Sequence, residues 1–364
     1  MVKKKKLVLF ECQEEIDSPS SALGANDFLD TSEPVTITVD SNPEADERGN
    51  GRFSNNRPTI GIWAPEVMIP FKLYARGPSV QPSMVRVARC AGFRRILSDP
   101  YIILRLRNDI ADAGTLWGYD GTTGTNKALL EKIGNLMFDW TIEIETGMAA
   151  KMNFNGKGQY VARPSVSTFP DVESYRENAI APAFRNGEAT INGKEYKLVK
   201  ITINGGQEVT SRPDPTAKYG AGETEMTNRM VRFDATVFQK ADNSLIPHPD
   251  IEAGTRGNLD LKWGRIFEYP DLQIFSSKCV IDNVKPGDNN GVLTWEITGV
   301  IEDNELDLRI YNGNESSYSS SVASDSSDSN SSESASYTSS SSSSLSRSSS
   351  SASDSSSSIS SISA

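Results

Sequence analysis

The chain has 364 residues, a formal net charge of −11 and one histidine. Its length suits one large β domain or two smaller ones, and its acidic balance excludes a dedicated nucleic-acid binder that neutralises phosphates with Lys and Arg. Cys12, Cys90 and Cys279 lie far apart without CxxC spacing, which argues against a disulfide framework and for a reducing compartment; no apolar run reaches the length of a membrane span, so no membrane partner is expected.

Residues 1–34 read as an N-terminal arm. Lys3–Lys6 precede Leu7–Phe10, an apolar run too short for a signal peptide and closed by Glu11, so a basic end leading into a short strand is predicted. Residues 35–165 form a first β block. Val35–Val39 alternates like a strand, and Asp40 to Arg57 follows as a long polar loop. Pro65 and Pro70 interrupt the apolar runs after Ile60. The clearest helix signal is at 82–91: Met84, Val87, Ala88 and Ala91 share one face, Pro82 suits the first turn and Gly92 the C-cap. Leu129–Leu136 fits a short helix or a strand equally. Asp139–Glu145 is an amphipathic strand turned by Gly147; Met152 and Phe154 return, and Asn155-Gly156 is read as another turn.

Residues 166–188 look like a loop-rich connector, and 189–312 form a second β block. Tyr196–Ile203, Val231–Val237 and Leu259–Trp263 are strand-like, with Gly205–Asn228 predicted as a second long loop. Val280–Leu308 reads as a hairpin. Its turn is the cluster Pro286–Gly291, and its second strand directs Leu293, Trp295 and Ile297 to the core. Recurring Asn-Gly dipeptides indicate a mainly β protein, an antiparallel sandwich or barrel with little helix. Both blocks end in similar strand pairs, a match too loose to establish duplication. Residues 313–364 are a tail in which serine predominates from Glu315 onward. They offer too little apolar surface to offset the entropy of ordering, so disorder is expected.

The search for chemistry returns no catalytic residue, metal site or cofactor. His248, between two prolines, reads as an exposed turn residue and not a ligand. Without a second histidine, Ser-His-Asp and Cys-His catalysis would both have to use it, and no G-x-S-x-G accompanies it. Gly118–Lys127 lacks the terminal Gly-Lys-Ser/Thr of a phosphate loop and reads as a hairpin loop. Asp282, Asp288, Asn289 and Asn290 lack calcium-loop spacing and suit a turn. Glu143, Glu145 and Glu296 fall on alternating strands whose default is a solvated face. The tryptophans could make a sugar platform, but Trp263 and Trp295 sit in phase with apolar neighbours, which favours packing.

Several segments, in order over roughly residues 35 to 310, resemble the major tail tube proteins of long-tailed phages. They are Met84-Val-Arg-Val-Ala-Arg-Cys-Ala-Gly-Phe93, Thr115-Leu-Trp-Gly-Tyr-Asp120, Gly134 to Gly147, Lys151 to Gly158, and the closing Gly-x-Leu-x-Trp-x-Ile-x-Gly before Asp303-Asn304-Glu305-Leu306. Cys90 and Ala91 are exchanged relative to the family's usual order. The resemblance implies a tail tube fold: a β-sandwich with one flanking helix, whose subunits close into a ring with an inner β-barrel. Rings then stack into a conduit through which DNA passes without specific binding. Implied partners are the chain itself and other tail proteins; the implied location is the virion tail, assembled in the host cytoplasm. Candidate ring-stacking residues are Asp40, Glu44, Asp46, Arg48 and Arg57 in one long loop and Arg212, Asp214, Lys218 and Glu223 in the other. The alternative is a carbohydrate-binding surface adhesin, a β-sandwich on a serine-rich stalk.

Overall fold

The computed structural model describes residues 4–12, 28–29, 31–40, 64–73, 82–98, 101–107, 112–122, 127–168, 181–185, 187–217, 219–239, 247–252, 254–264 and 271–311. All belong to one compact unit, Met1–Glu315. In chain order the strands are β1 (Lys4–Cys12), β2 (Thr36–Asp40) and β3 (Ala64–Lys72), then helix α1 (Pro82–Arg89). There follow β4 (Phe93–Ser98), β5 (Tyr101–Leu106), β6 (Gly114–Thr122), β7 (Lys127–Glu145), β8 (Lys151–Thr168), β9 (Glu188–Ile191) and β10 (Lys194–Tyr196). Next are β11 (Leu198–Asn204), β12 (Gln207–Pro213), β13 (Ala221–Arg229) and β14 (Arg232–Phe238), and the short helix α2 (His248–Glu252). β15 (Arg256–Trp263), β16 (Leu272–Asn289), β17 (Val292–Ile301) and β18 (Asp307–Tyr311) complete the set.

The protein is mainly β, and its strand ladders are antiparallel. The principal sheet runs β16–β17–β14–β11–β7–β8–β3–β2. β11 and β14 of the second sequence block pair directly with β7 of the first, so the two blocks share one sheet. A second run, β10–β9–β15–β16–β18–β5–β4, meets the first at β16. A contiguous core draws on both, including Trp140, Ile201 and Phe233 of the first and Leu261, Leu308 and Leu104 of the second.

Two long strands change partners along their length. β7 pairs with β6 as far as Leu136 and with β11 from Thr141. Across the gap, Phe138 N–H donates to Cys90 O (3.1 Å), and Trp140 O accepts from Gly205 N–H (2.8 Å). Along one edge β16 pairs with β18 over Leu272–Phe275 and with β17 from Cys279, while β15 lines its other edge as far as Val280. Such partner changes let one continuous strand take part in three ladders, β7 with β6, β8 and β11, and β16 with β15, β17 and β18.

The helix forms where its spacing predicts. Met84, Val87, Ala88 and Ala91 are all buried, joined by Val85 and Cys90, and Gly92 takes φ +86°. Its exposed-end carbonyls are satisfied from outside the helix: Cys90 O by Phe138 N–H, Ala91 O by the Gln207 side-chain amide (3.0 Å), Gly92 O by Arg107 N–H (2.8 Å).

Several expectations need correction. Leu129–Leu136 is strand, part of β7. Asn155-Gly156 is not a turn; β8 runs through it, and Gly156 is required because a Cβ there would lie 2.4 Å from the Phe138 ring. Gly205–Asn228 is not a loop but largely the hairpin β12–β13. The turn of the β16–β17 hairpin is only Asn290-Gly291 (φ 54° and 82°), because Pro286 to Asn289 remain in β16. Ile297 is buried and Trp295 packs on the core, yet Leu293 is 61% exposed. At this end the alternation breaks down: Thr294, out of phase with Trp295 and Ile297, is buried, while Val292 and Leu293 are both exposed.

Candidate assembly surface

The principal sheet has one face in the core and one polar face. On β7, Phe138, Trp140, Ile142 and Ile144 are fully buried, while Asp139, Thr141 and Glu143 alternate with them at intermediate exposure and Glu145 is exposed. Register carries that alternation across the sheet. Thr298, Asp234, Thr202, Glu143, Lys151 and Lys72 form one row of direct partners. Lys285, Glu296, Thr236, Lys200 and Glu145 form another. By register the acids Asp40, Glu66, Asp139, Glu143, Glu145, Asp234 and Glu296 occupy positions on the same side as Lys72, Lys151, Lys157, Lys200, Arg232 and Lys285, seven against six.

Both lateral edges of this sheet lack a strand partner among the described residues. At one end, β2 pairs only with β3, and its Thr36 and Thr38 are exposed. At the other, Ile281–Asn289 of β16 pair only with β17. The β16 edge carries Lys285 and Pro286, residues that blunt an edge; Thr36-Ile37-Thr38-Val39 of β2 contains neither Lys nor Pro.

The β12–β13 hairpin lies against the β7–β8 end of the polar face. Its root is held by buried polar contacts. Gln207 N–H donates to Asp139 Oδ1 (3.1 Å), and the Gln207 amide donates to Ala91 O (3.0 Å). Arg229 donates to Arg107 O. Burial raises the Asp139 carboxyl above its ordinary range, opposed by the Gln207 and Trp140 backbone N–H groups and by Arg229. Burial likewise lowers Arg229, opposed by Asp139. Further out, Ala221 and Thr224 are buried and Tyr219 meets Tyr160 of β8 edge-on at 5.9 Å. Between hairpin and sheet lies a groove of about 650 Å³, lined by Thr36, Thr38, Glu66, Met68, Lys157 and Gln207 to Thr210.

Of the proposed stacking residues, Glu44, Asp46, Arg48, Arg57 and Lys218 lie outside the described residues, as does the serine-rich tail. Asp40 ends β2. Arg212 pairs with Glu225 (2.7 Å) on the hairpin, and Glu223 is exposed on β13. Asp214 accepts hydrogen bonds from the Thr216 hydroxyl (2.6 Å) and N–H (2.7 Å), which hold its carboxyl below the usual range. The hairpin was hidden in the sequence because its inner side mixes polar Gln207 and Thr224 with few apolar residues. The sequence reading also passed over Asp139, Gln207 and Arg229 as a cluster, since they come from three separate elements.

Other candidates take structural positions. His248 opens α2 and meets Trp295 edge-on at 5.3 Å. Asp288 Oδ1 accepts from Gly291 N–H (2.8 Å) and so braces the hairpin turn. Trp140 and Trp263 are buried, and Lys132 lies over Trp117 at 5.2 Å; Trp63 lies outside the described residues. A second hollow, of about 520 Å³, holds Arg229, Arg256, Lys278, Glu302 and Asp303. Its charges are paired, as Arg256–Glu302 (2.9 Å) and Lys278–Asp303 (2.8 Å). Among the described residues no group of three or more His, Cys, Asp or Glu is placed to hold a metal. No described helix is long and apolar enough to cross a membrane.

No protein-family model matches the chain, and a search of curated proteins finds no match to it.

Proposed function

We propose that this protein is the major subunit of a phage tail tube, a virion structural protein that assembles as stacked rings around a DNA conduit. The observation that carries the reading is the principal sheet itself. Its apolar face is used in the chain's own core, its other face is polar, and both of its edges are open among the described residues. Open strand edges are an aggregation hazard in a monomer and are removed when copies join edge to edge in a closed ring. The ordered tail-tube-like motifs support the same reading. The helix motif around Cys90–Gly92 supplies carbonyls to β7, to the hairpin and to the residue after β5.

In this reading the two strand runs about one core are the layers of a β-sandwich, flanked by α1. The polar face carries acidic and basic positions in nearly equal number, a balance that suits passage of DNA without specific binding. Ring-to-ring contact is heterologous and propagates a filament. Other tail proteins begin and end the tube, which is built in the host cytoplasm and resides in the virion.

Negative-stain electron microscopy of the purified chain, with and without residues 315–364, tests the proposal. Rings or hollow tubes in both preparations are expected. A monodisperse monomer in both, at high concentration and with a tail-initiator complex added, would overturn it.

A further inference from the structure

Two of the three cysteines, read from the sequence as isolated, are brought together by the fold. Cys12 is the last residue of β1, and Cys90 directly follows α1. They are 78 positions apart, yet their Sγ atoms lie 3.6 Å from each other, both fully buried. Asp112 is near Cys12 (3.9 Å) but is engaged by Arg89 (3.2 Å), so the sulfurs are not half of a metal site. The third thiol, Cys279, is occupied elsewhere, donating to Asn192 Oδ1 (3.2 Å).

We propose that Cys12 and Cys90 are a disulfide site, whose oxidation staples the N-terminal strand to the helix. All three cysteines are free thiols in the structure. Sulfur atoms in van der Waals contact need to close by only about 1.6 Å to reach a bond of about 2.05 Å. Cys12 ends its strand, where a small backbone shift meets least resistance. The oxidant is a small-molecule disulfide, such as oxidised glutathione. One protein thiolate attacks it, forming a mixed disulfide and releasing one glutathione thiol. The second protein thiol then loses its proton and displaces the second glutathione. The protein gives up two electrons and two protons, which leave on the two glutathione molecules.

The consequence is positional. Among the described residues β1 is held to the rest of the unit by its ladder with β6 and by a single bridge to Phe28 on its other edge, and a strand so lightly held on one side is readily peeled away or exchanged between copies. The staple closes that route. Burial pushes the Cys90 thiol well up, and both sulfurs are shielded from solvent, so a dissolved oxidant does not reach the pair while the strand is seated. Oxidation is therefore limited by opening of the β1 end. The bond forms slowly once the protein leaves a reducing compartment, and it does not depend on the tail tube reading.

The test is peptide mapping of the full-length protein after incubation with oxidised glutathione, with free thiols alkylated under denaturing conditions. The expected product is a single intramolecular link between the Cys12 and Cys90 peptides, faster in sub-denaturing urea. It raises the melting temperature on the order of 5 °C relative to the reduced form. Cys279→Ser leaves the link intact, while Cys12→Ser and Cys90→Ser each abolish it. Recovery of Cys12 and Cys90 as free thiols or as glutathione adducts would overturn the proposal. So would links that involve Cys279 or join two chains.

Discussion

Asp139 illustrates how much one residue can depend on elements remote from it. In the sequence it is the first polar position of an alternating strand. In the fold it is covered by the hairpin and accepts the N–H of Gln207. Burial raises its carboxyl above the ordinary 3.8, so the folded protein holds that proton more tightly than the unfolded chain. Its effect on stability is most favourable in acid and declines as pH climbs from the unfolded value through the folded one. Asp139→Asn should flatten this part of the stability curve. Asp139→Ala should cost about 1–3 kcal/mol at neutral pH, because it leaves the buried Gln207 N–H unpaired. Urea unfolding of both variants at about pH 4 and about pH 7 checks the sign as well as the size. The polar type at 139 was legible from alternation; its burial was not, because the cover arrives from 68 residues away.

At the scale of elements, β7 and β8 show where local reading succeeds and fails. Asp139–Glu145 is recognisable because every second residue is apolar and buried. Leu129–Leu136 is ambiguous because Gly134 and Asn135 interrupt the pattern just where β7 prepares to change partners. Asn155-Gly156 misleads because the dipeptide that favours a turn also supplies a residue without a Cβ. Phe138 needs that space, its ring lying over Gly156 from the neighbouring strand. Gly156→Ala should therefore destabilise the protein by about 1–3 kcal/mol through overpacking, with its spectrum unchanged. Thermal melting with far-ultraviolet circular dichroism distinguishes this from a turn residue, for which Ala in open space would cost less. The β12–β13 hairpin is the clearest miss. Its outer side, with Glu208, Thr210 and Thr227, is exposed, and its inner side buries polar Gln207 and Thr224 beside Val209, so alternation of polarity marks it only weakly.

For the whole molecule, the decisive feature is a sheet whose two edges are open among the described residues. Its β2 edge carries no lysine or proline to discourage pairing. Thr38→Lys places a charge on that edge at an exposed position, in the line of an incoming strand. On the tail tube reading, the expected outcome is a folded protein, with melting temperature shifted by no more than about 2 °C, that fails to form the rings or tubes expected of the parent under the electron microscope. Assembly as efficient as the parent's would remove β2 from the ring contact.

Composition, alternation and turn residues determined by themselves that the chain is mainly β, that a helix forms within 82–91, and that its serine-rich end differs in composition from the rest. These follow from short-range rules: which neighbours alternate, and which residues tolerate a cap or a positive φ. Tertiary structure alone decided that the two blocks share one sheet, that β7 and β16 each serve three ladders, and that Cys12 meets Cys90. It also decided that Leu293 runs beyond the core. The physical reason is that strand pairing and sulfur contact join positions tens to hundreds of residues apart, and no local pattern encodes which distant strand a backbone edge will find.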